Sequence, residues 1–274
     1  LIFNKFVSKH QIENRNSLMV YFMFASFLFS FALFPFSSKA IPPILVLWRI
    51  FIATITFLVG YYFFFVGIID TDASVFAPLF QLQAILVAVL AYVFLGERFP
   101  VSNYAWIGLM IVGVILVSAD EKMKIKSFLR KGLMFILGMQ FLHAVSNLFV
   151  GFSLKKVGFV DVLFWEYIII GICSIPFYLF TKPNLSYPRK SVIDFIIATY
   201  LSSFGALFLF KAFEQNLTIS STIALMSSPI VFIISVIASR FRPKFLEHHT
   251  PKVYLMRALG VILILLGAIK VSLG

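Results

Sequence analysis

The chain has 274 residues, of which 61% are hydrophobic and only 12% charged, with a mean hydropathy of +1.01. A soluble domain carries ~45–50% apolar and ~25% charged residues, so this composition excludes one; barrel strands would alternate polar and apolar residues, which these runs do not. The net charge of +12 is spread over short loops, a pattern suited to anionic lipid headgroups and not to nucleic acid.

The chain opens on Leu1 and not on Met, so a natural start further upstream is expected. Residues 1–17 are polar and no short cleavable apolar segment follows, so no signal peptide is expected. Apolar runs then occupy 18–36, 42–69, 74–95, 102–118, 132–153, 159–180, 191–213, 217–239 and 253–273. Most have the length that crosses ~30 Å of hydrocarbon as a helix. The run at 42–69 is longer, at 28 residues. Short polar connections separate the runs, and no soluble domain interrupts them. The fold class is all-α: a polytopic helical membrane protein. One cysteine, Cys173, rules out an internal disulfide and a multi-cysteine metal site.

Within the runs, polar residues mark candidate sites. The first run carries Ser26 and Ser30, suited equally to tight helix packing and to solute contact. The second begins with Arg49 and the sixth with Glu166, charges expected to snorkel to the interface. Gln81 and Gln83 precede Gly96-Glu97-Arg98; they are two apart and face different ways, and Gln81 is the preferred cavity residue. The fifth run holds the most informative set: Gln140, His143 and Asn147, whose spacing of three and four puts them on one helical face. Polar side chains at mid-membrane are costly and face a cavity or a neighbouring helix. They read either as a solute-facing stripe, with His143 as a proton-sensitive group, or as interhelical hydrogen-bond glue. Tyr200 in the seventh run could hydrogen-bond or stack on a ligand, or simply pack. Ser227 and Ser228 precede Pro229, which would leave backbone carbonyls open to a solute. Lys211 and Glu214 are spaced for an end-of-helix ion pair, and His248-His249 reads as solvated loop. No cofactor or metal site is expected, and no Gly-x-x-x-x-Gly-Lys-Ser/Thr motif for ATP is present.

The apolar run before Gly96-Glu97-Arg98, followed by a span bearing Gly108 and Gly113, resembles the EamA family of the drug/metabolite transporter superfamily. The chain also repeats itself. Shifted by 117, Ser26 falls on His143, Ser30 on Asn147, Trp48 on Trp165 and Arg49 on Glu166; from Gly60 onward the best shift is 145, with Gly60 on Gly205 and Phe63 on Phe208. The difference of 28 residues, between roughly Phe57 and Gly60, is a loop plus most of one helix. The resemblance implies two inverted five-helix repeats, ten spans in all, against the nine apparent here. Residues 18–118 form the first repeat, lacking most of its third span, and 132–273 the second. The second half departs from the family motif, with Arg240-Phe-Arg242 where Gly-Glu is expected.

Orientation reads two ways. Lys122, Lys124, Lys126, Arg130, Lys131, Lys182, Arg189, Lys190, Arg240, Arg242, Lys244 and Lys252 share one side, which the positive-inside rule places in the cytoplasm together with the N-terminus of a nine-span chain. Ten spans with both termini inside would put them outside.

The resemblance implies a secondary-active permease for a small organic solute, such as an amino acid or a nucleotide-linked metabolite, working by alternating access. Its substrate cavity would draw on Ser30, Gln81, Gln140, His143, Asn147, Tyr200 and Ser227. Its expected partners are the solute and the lipid bilayer, with a possible homodimer, and its expected location is the cell (inner) membrane. The competing classes are a membrane-embedded enzyme, for which no convergent acids or histidines are found, and a non-transporting scaffold subunit.

Overall fold

The computed structural model describes Ile12 and residues 14–70, 82–96, 100–117, 131–224 and 250–273. Among these it is helical and contains no strand. The helices are α1 (Arg15–Leu33, ending in the tight turn Phe34–Phe36), α2 (Ile44–Asp70), α3 (Leu82–Leu90, widening into the turn Ala91–Leu95), α4 (Val101–Val117), α5 (Lys131–Leu154), α6 (Phe159–Thr181), α7 (Arg189–Phe213), α8 (Leu217–Ala224) and α9 (Pro251–Leu273). Five are long and apolar enough to cross a membrane: 15–36, 44–67, 134–154, 159–181 and 189–213. Shorter apolar helices cover 86–95 and 101–113. The all-helical, polytopic reading of the sequence holds.

Local chemistry sets the helix ends. Asn14 caps α1, its side-chain oxygen accepting from the N–H groups of Asn16 and Ser17. Lys182 takes a left-handed conformation (φ 40°) before Pro183, which cannot continue α6. Gly96 takes the same region at φ 70° to close the wide turn after α3. Glu97 and Arg98 lie outside the described residues.

Three helix pairs organise the packing. In α2–α5, Arg49 Nη1 donates to the Phe152 carbonyl at 3.5 Å and Ser146 Oγ to the Ala53 carbonyl at 2.9 Å, Gly60 lies against His143, and Phe63 packs on Phe135. Rising numbers on α2 meet falling numbers on α5, so the two are antiparallel. In α1–α6, Ser17 Oγ donates to the Asn184 carbonyl just beyond α6, Phe27 lies on Gly171, Phe29 meets Tyr167, and the Ser38 N–H donates to Asp161. That pair is antiparallel as well. In α4–α9, Gly113 lies against Gly260 and Ile264, and Gly267 against Met110 and Trp106. Such glycines let the backbones approach, which in lipid replaces the missing hydrophobic drive.

These contacts fix direction. Phe22 of α1 meets Phe57, Tyr61 and Phe65 of α2 across the short 37–43 connection, so α1 and α2 are antiparallel. Since α2 and α5 are antiparallel too, α1 and α5 run the same way through the membrane. A shift of 117 carries the Phe27–Gly171 contact to Ala144 and Thr54, beside the Ser146–Ala53 bond. For α1–α2 against α5–α6, the repeat-related helices therefore run in parallel, as the nine-span reading of the charges gives, where the ten-span pattern would set them inverted. The physical reason is parity. With two apolar segments between α2 and α5 in place of three, α5 enters from the same face as α1.

The face holding Arg15, Lys131, Lys182 and Arg189 is thus one face of the bundle, and Lys39, Lys155, Lys156 and Lys211 mark the other. The expected ion pair Lys211–Glu214 is present at 2.9 Å. On α7, Ile193, Ile197, Leu201, Phe204 and Phe208 stand exposed along one stripe, the lipid-facing surface such a helix needs.

Candidate functional site

The interior polar group sits on α5. Gln140 is completely buried, and among the described residues neither its Oε1 nor its Nε2 has a partner. One turn on, His143 is 6% exposed, its ring stacked on Phe57 at 5.1 Å and 21°. The ring is hydrogen-bonded to the Phe57 backbone, while Nε2 lies against Gly60 without a partner. Only a glycine leaves room for it: a Cβ at position 60 would lie 2.8 Å from Nε2. Ser146, the next residue of the stripe, spends its hydroxyl on Ala53, and Asn147 is half-buried beside it.

The aromatic wall comes from α1 and α2. Tyr61 stacks on Phe22 at 4.0 Å and 13° and stands 6.0 Å from the His143 ring. A run of ring contacts, stacked from Phe22 to Tyr61 and tilted from Tyr61 to His143, therefore joins α1, α2 and α5. A second aromatic group lies between α1, α6 and α7, where Phe29 meets Tyr167 at 5.9 Å, Tyr200 at 5.7 Å and Phe204 at 5.1 Å. Tyr167 is hydrogen-bonded to the buried Ser203.

The structure thus brings Gln140, His143 and Asn147 together on one helix, with Gln140 and His143 buried. Ser30 is buried too, but its hydroxyl donates to the Phe27 carbonyl of its own helix at 2.6 Å. Tyr200, half-buried against Phe29, belongs to the α1–α6–α7 group and not to the α2–α5 contact. Gln81 and Ser227 lie outside the described residues, as do Ser228, Pro229, His248 and His249; Gln83 is half-buried on α3.

One expectation fails on position. Glu166 was expected to snorkel, yet it is 3% exposed and its Oε2 has no partner among the described residues. Its counterpart Arg49 is half-buried, its guanidinium 5.4 Å from the Phe152 ring. Sequence reasoning also missed Tyr61. Its signal was indirect: it follows Gly60, where the repeat shift changes. Among the described residues no cluster of three or more His, Cys, Asp or Glu is placed to hold a metal.

Comparison with known proteins finds a family match over the first part of the chain. The model of the EamA-like transporter family matches residues 2–119. No curated protein matches the sequence. Among solved structures 22 chains match. One, described only as the crystal structure of a protein, superposes with a TM-score of 0.66 at 12% identity, covering 99% of this chain and 94% of that one. At that identity the likeness speaks for the fold alone. Residues 2–119 thus match the EamA-like transporter family, and the chain is an integral, multi-pass helical membrane protein.

Proposed function

We propose that the protein is a secondary-active permease for a small organic metabolite, an amino acid or a nucleotide-linked or similar solute, carried by alternating access in the cell (inner) membrane. One observation carries the reading: the buried polar atoms of Gln140 and His143 that have no partner among the described residues. A buried donor or acceptor left unsatisfied costs ~1–3 kcal/mol, and in hydrocarbon more. A helix that needed only glue would satisfy these groups against its neighbour, as Ser146 does with Ala53. A carboxamide that offers one acceptor and one donor edge suits a solute with the complementary pair, such as an amide, a carboxylic acid or a nucleobase. Asn147 extends the stripe, and Tyr61 and Phe22 supply an apolar wall. The basic loops favour an anionic or zwitterionic solute.

The test is uptake of radiolabelled solutes into proteoliposomes. Gln140→Ala and Asn147→Ala are expected to lose uptake while keeping wild-type helicity and a monodisperse profile in detergent. Unchanged uptake in both variants refutes the site, and no uptake of any metabolite by the wild-type chain would favour a non-transporting scaffold.

A further inference from the structure

The Gln140–His143 stripe leaves the buried Glu166 unused. Glu166 lies on α6 seven residues after Phe159, about 10 Å along the helix axis. Its Oε2 is buried without a partner, and no cationic side chain among the described residues lies within 4.0 Å of it. An ionised carboxylate in that setting costs several kcal/mol in lost hydration. A neutral carboxyl costs far less and keeps a donor and an acceptor.

The charged and titratable groups on the elements around it are few, and most are committed elsewhere. On α6 itself, Asp161 accepts the Ser38 N–H at 2.7 Å near the surface and Tyr167 bonds to Ser203 of α7. Beyond the end of α1, Lys39 sits over the Phe34 ring; at the other end of α1, Tyr21 donates to the Leu185 carbonyl. From α2 come Tyr61, stacked on Phe22, Tyr62, edge-on to Phe177, and Arg49, held on Phe152 of α5. His143 of α5 is stacked on Phe57. On α7, Lys211 pairs with Glu214, and Asp194 lies near the opposite end of the helix. Arg49 is the notable one. It is the residue onto which the 117-residue shift carries Glu166, and α2 and α6 run in the same direction, with Tyr62 of one against Phe177 of the other. The two residues therefore sit at matching depths on neighbouring helices.

We propose that Glu166 is a proton-binding site of the transport cycle, its carboxyl neutral in the arrangement described here and ionised when paired with Arg49. The proton enters from water on one face, resides on a Glu166 oxygen, and leaves to water on the other face. The bare carboxylate is then drawn to the Arg49 guanidinium, and that ion pair pulls α6 and α2 together. This rests on the permease reading.

The experiment uses the full chain in liposomes. Infrared difference spectra between acidic and alkaline buffer report the C=O stretch of protonated carboxyls. A titrating band is expected in the wild type and in Asp161→Asn, and is expected to vanish in Glu166→Gln, which keeps the shape of the neutral acid and should fold. Glu166→Asp serves as the second variant and should retain a shifted band. A band unchanged in Glu166→Gln overturns the proposal, and so does a Glu166 that stays ionised throughout. In the same vesicles, uptake of a radiolabelled amino-acid mixture is compared with and without an inward proton gradient. Gradient-driven accumulation is expected to be lost in Glu166→Gln while gradient-free exchange persists. Equal, gradient-independent uptake in both proteins overturns the proton site and leaves the permease standing. No uptake by either protein, with Glu166 still titrating, counts against the permease reading alone.

Discussion

The contact between Gly60 and His143 gives the sharpest test of the α2–α5 packing. A Cβ added at position 60 would lie 2.6 Å from His143 Cδ2, 2.8 Å from Nε2 and 3.4 Å from the Leu142 Cβ. The ring has nowhere easy to go, because it is stacked on Phe57 and hydrogen-bonded to the backbone there. Overpacking of this kind costs about 1–3 kcal/mol. Against it stands the helical advantage of Ala over Gly, about 0.5–1 kcal/mol. Gly60→Ala should therefore destabilise by up to about 2.5 kcal/mol when these two effects are combined. In a His143→Ala background the obstacle is gone and only the helical gain is left, so the same change should stabilise slightly. The coupling between the two sites should then be about 1–3 kcal/mol. Thermal and denaturant unfolding in detergent, followed by helical circular dichroism over all four members of the cycle, measures it. If Gly60→Ala costs as much without the imidazole as with it, the reasoning fails.

Three further outcomes follow from the same contacts. Gly113→Ala should destabilise more than Gly267→Ala in thermal unfolding. The first would drive a methyl to 2.7 Å from the Gly260 carbonyl oxygen, which is backbone, whereas the second mainly meets the Met110 side chain, which can move. Gln140→Leu should leave the melting temperature unchanged or raise it, because it removes unpaired buried polar atoms, and should abolish uptake; a large loss of stability would mean that the carboxamide is structural glue. In a Cys173→Ser background, single cysteines at Lys39 and Lys156 should react with an impermeant maleimide from one side of sealed vesicles, and cysteines at Arg15 and Lys182 from the other. Labelling of Lys39 and Lys156 from opposite sides would refute the shared direction of α1 and α5.

The five long spans were legible because hydrocarbon imposes length and apolarity on every segment that crosses it. The run at 42–69 is the helix Ile44–Asp70, and the run at 159–180 is Phe159–Thr181. The α5 stripe was legible for a second reason: three polar residues at helical spacing in an otherwise apolar run can share only one face. Glu166 was not legible. A charge within two turns of a span end can reach water by extending outward or be sealed by neighbours, and only the packing of α6 against α1, α2 and α7 decides which. Ser30 was ambiguous for a related reason, since a serine in a helix can satisfy itself on its own backbone, as this one does on Phe27. Tyr61 gave no polar signal, because its role is to bridge Phe22 and His143 across three helices.

The direction of the helices read two ways in the sequence because it depends on the number of crossings and not on any residue. That parity bears on mechanism. In inverted repeats, exchanging the conformations of the two halves converts an inward-open state into an outward-open one. Where α1–α2 and α5–α6 run in parallel, the same exchange returns a state open to the same face, so symmetry alone does not supply the second state. In the proposed permease, alternating access would then come from rocking one half on the other, as parallel repeats do, and rocking needs a contact between the halves whose energy changes through the cycle. The α2–α6 contact is suited to this, because its repeat-related residues are not alike: Arg49 is a fixed cation and Glu166 a group that can be charged or neutral. An identical pair would repel in every state or in none. Opposite members at matching depth attract in one protonation state only, and that difference distinguishes the two ends of the cycle.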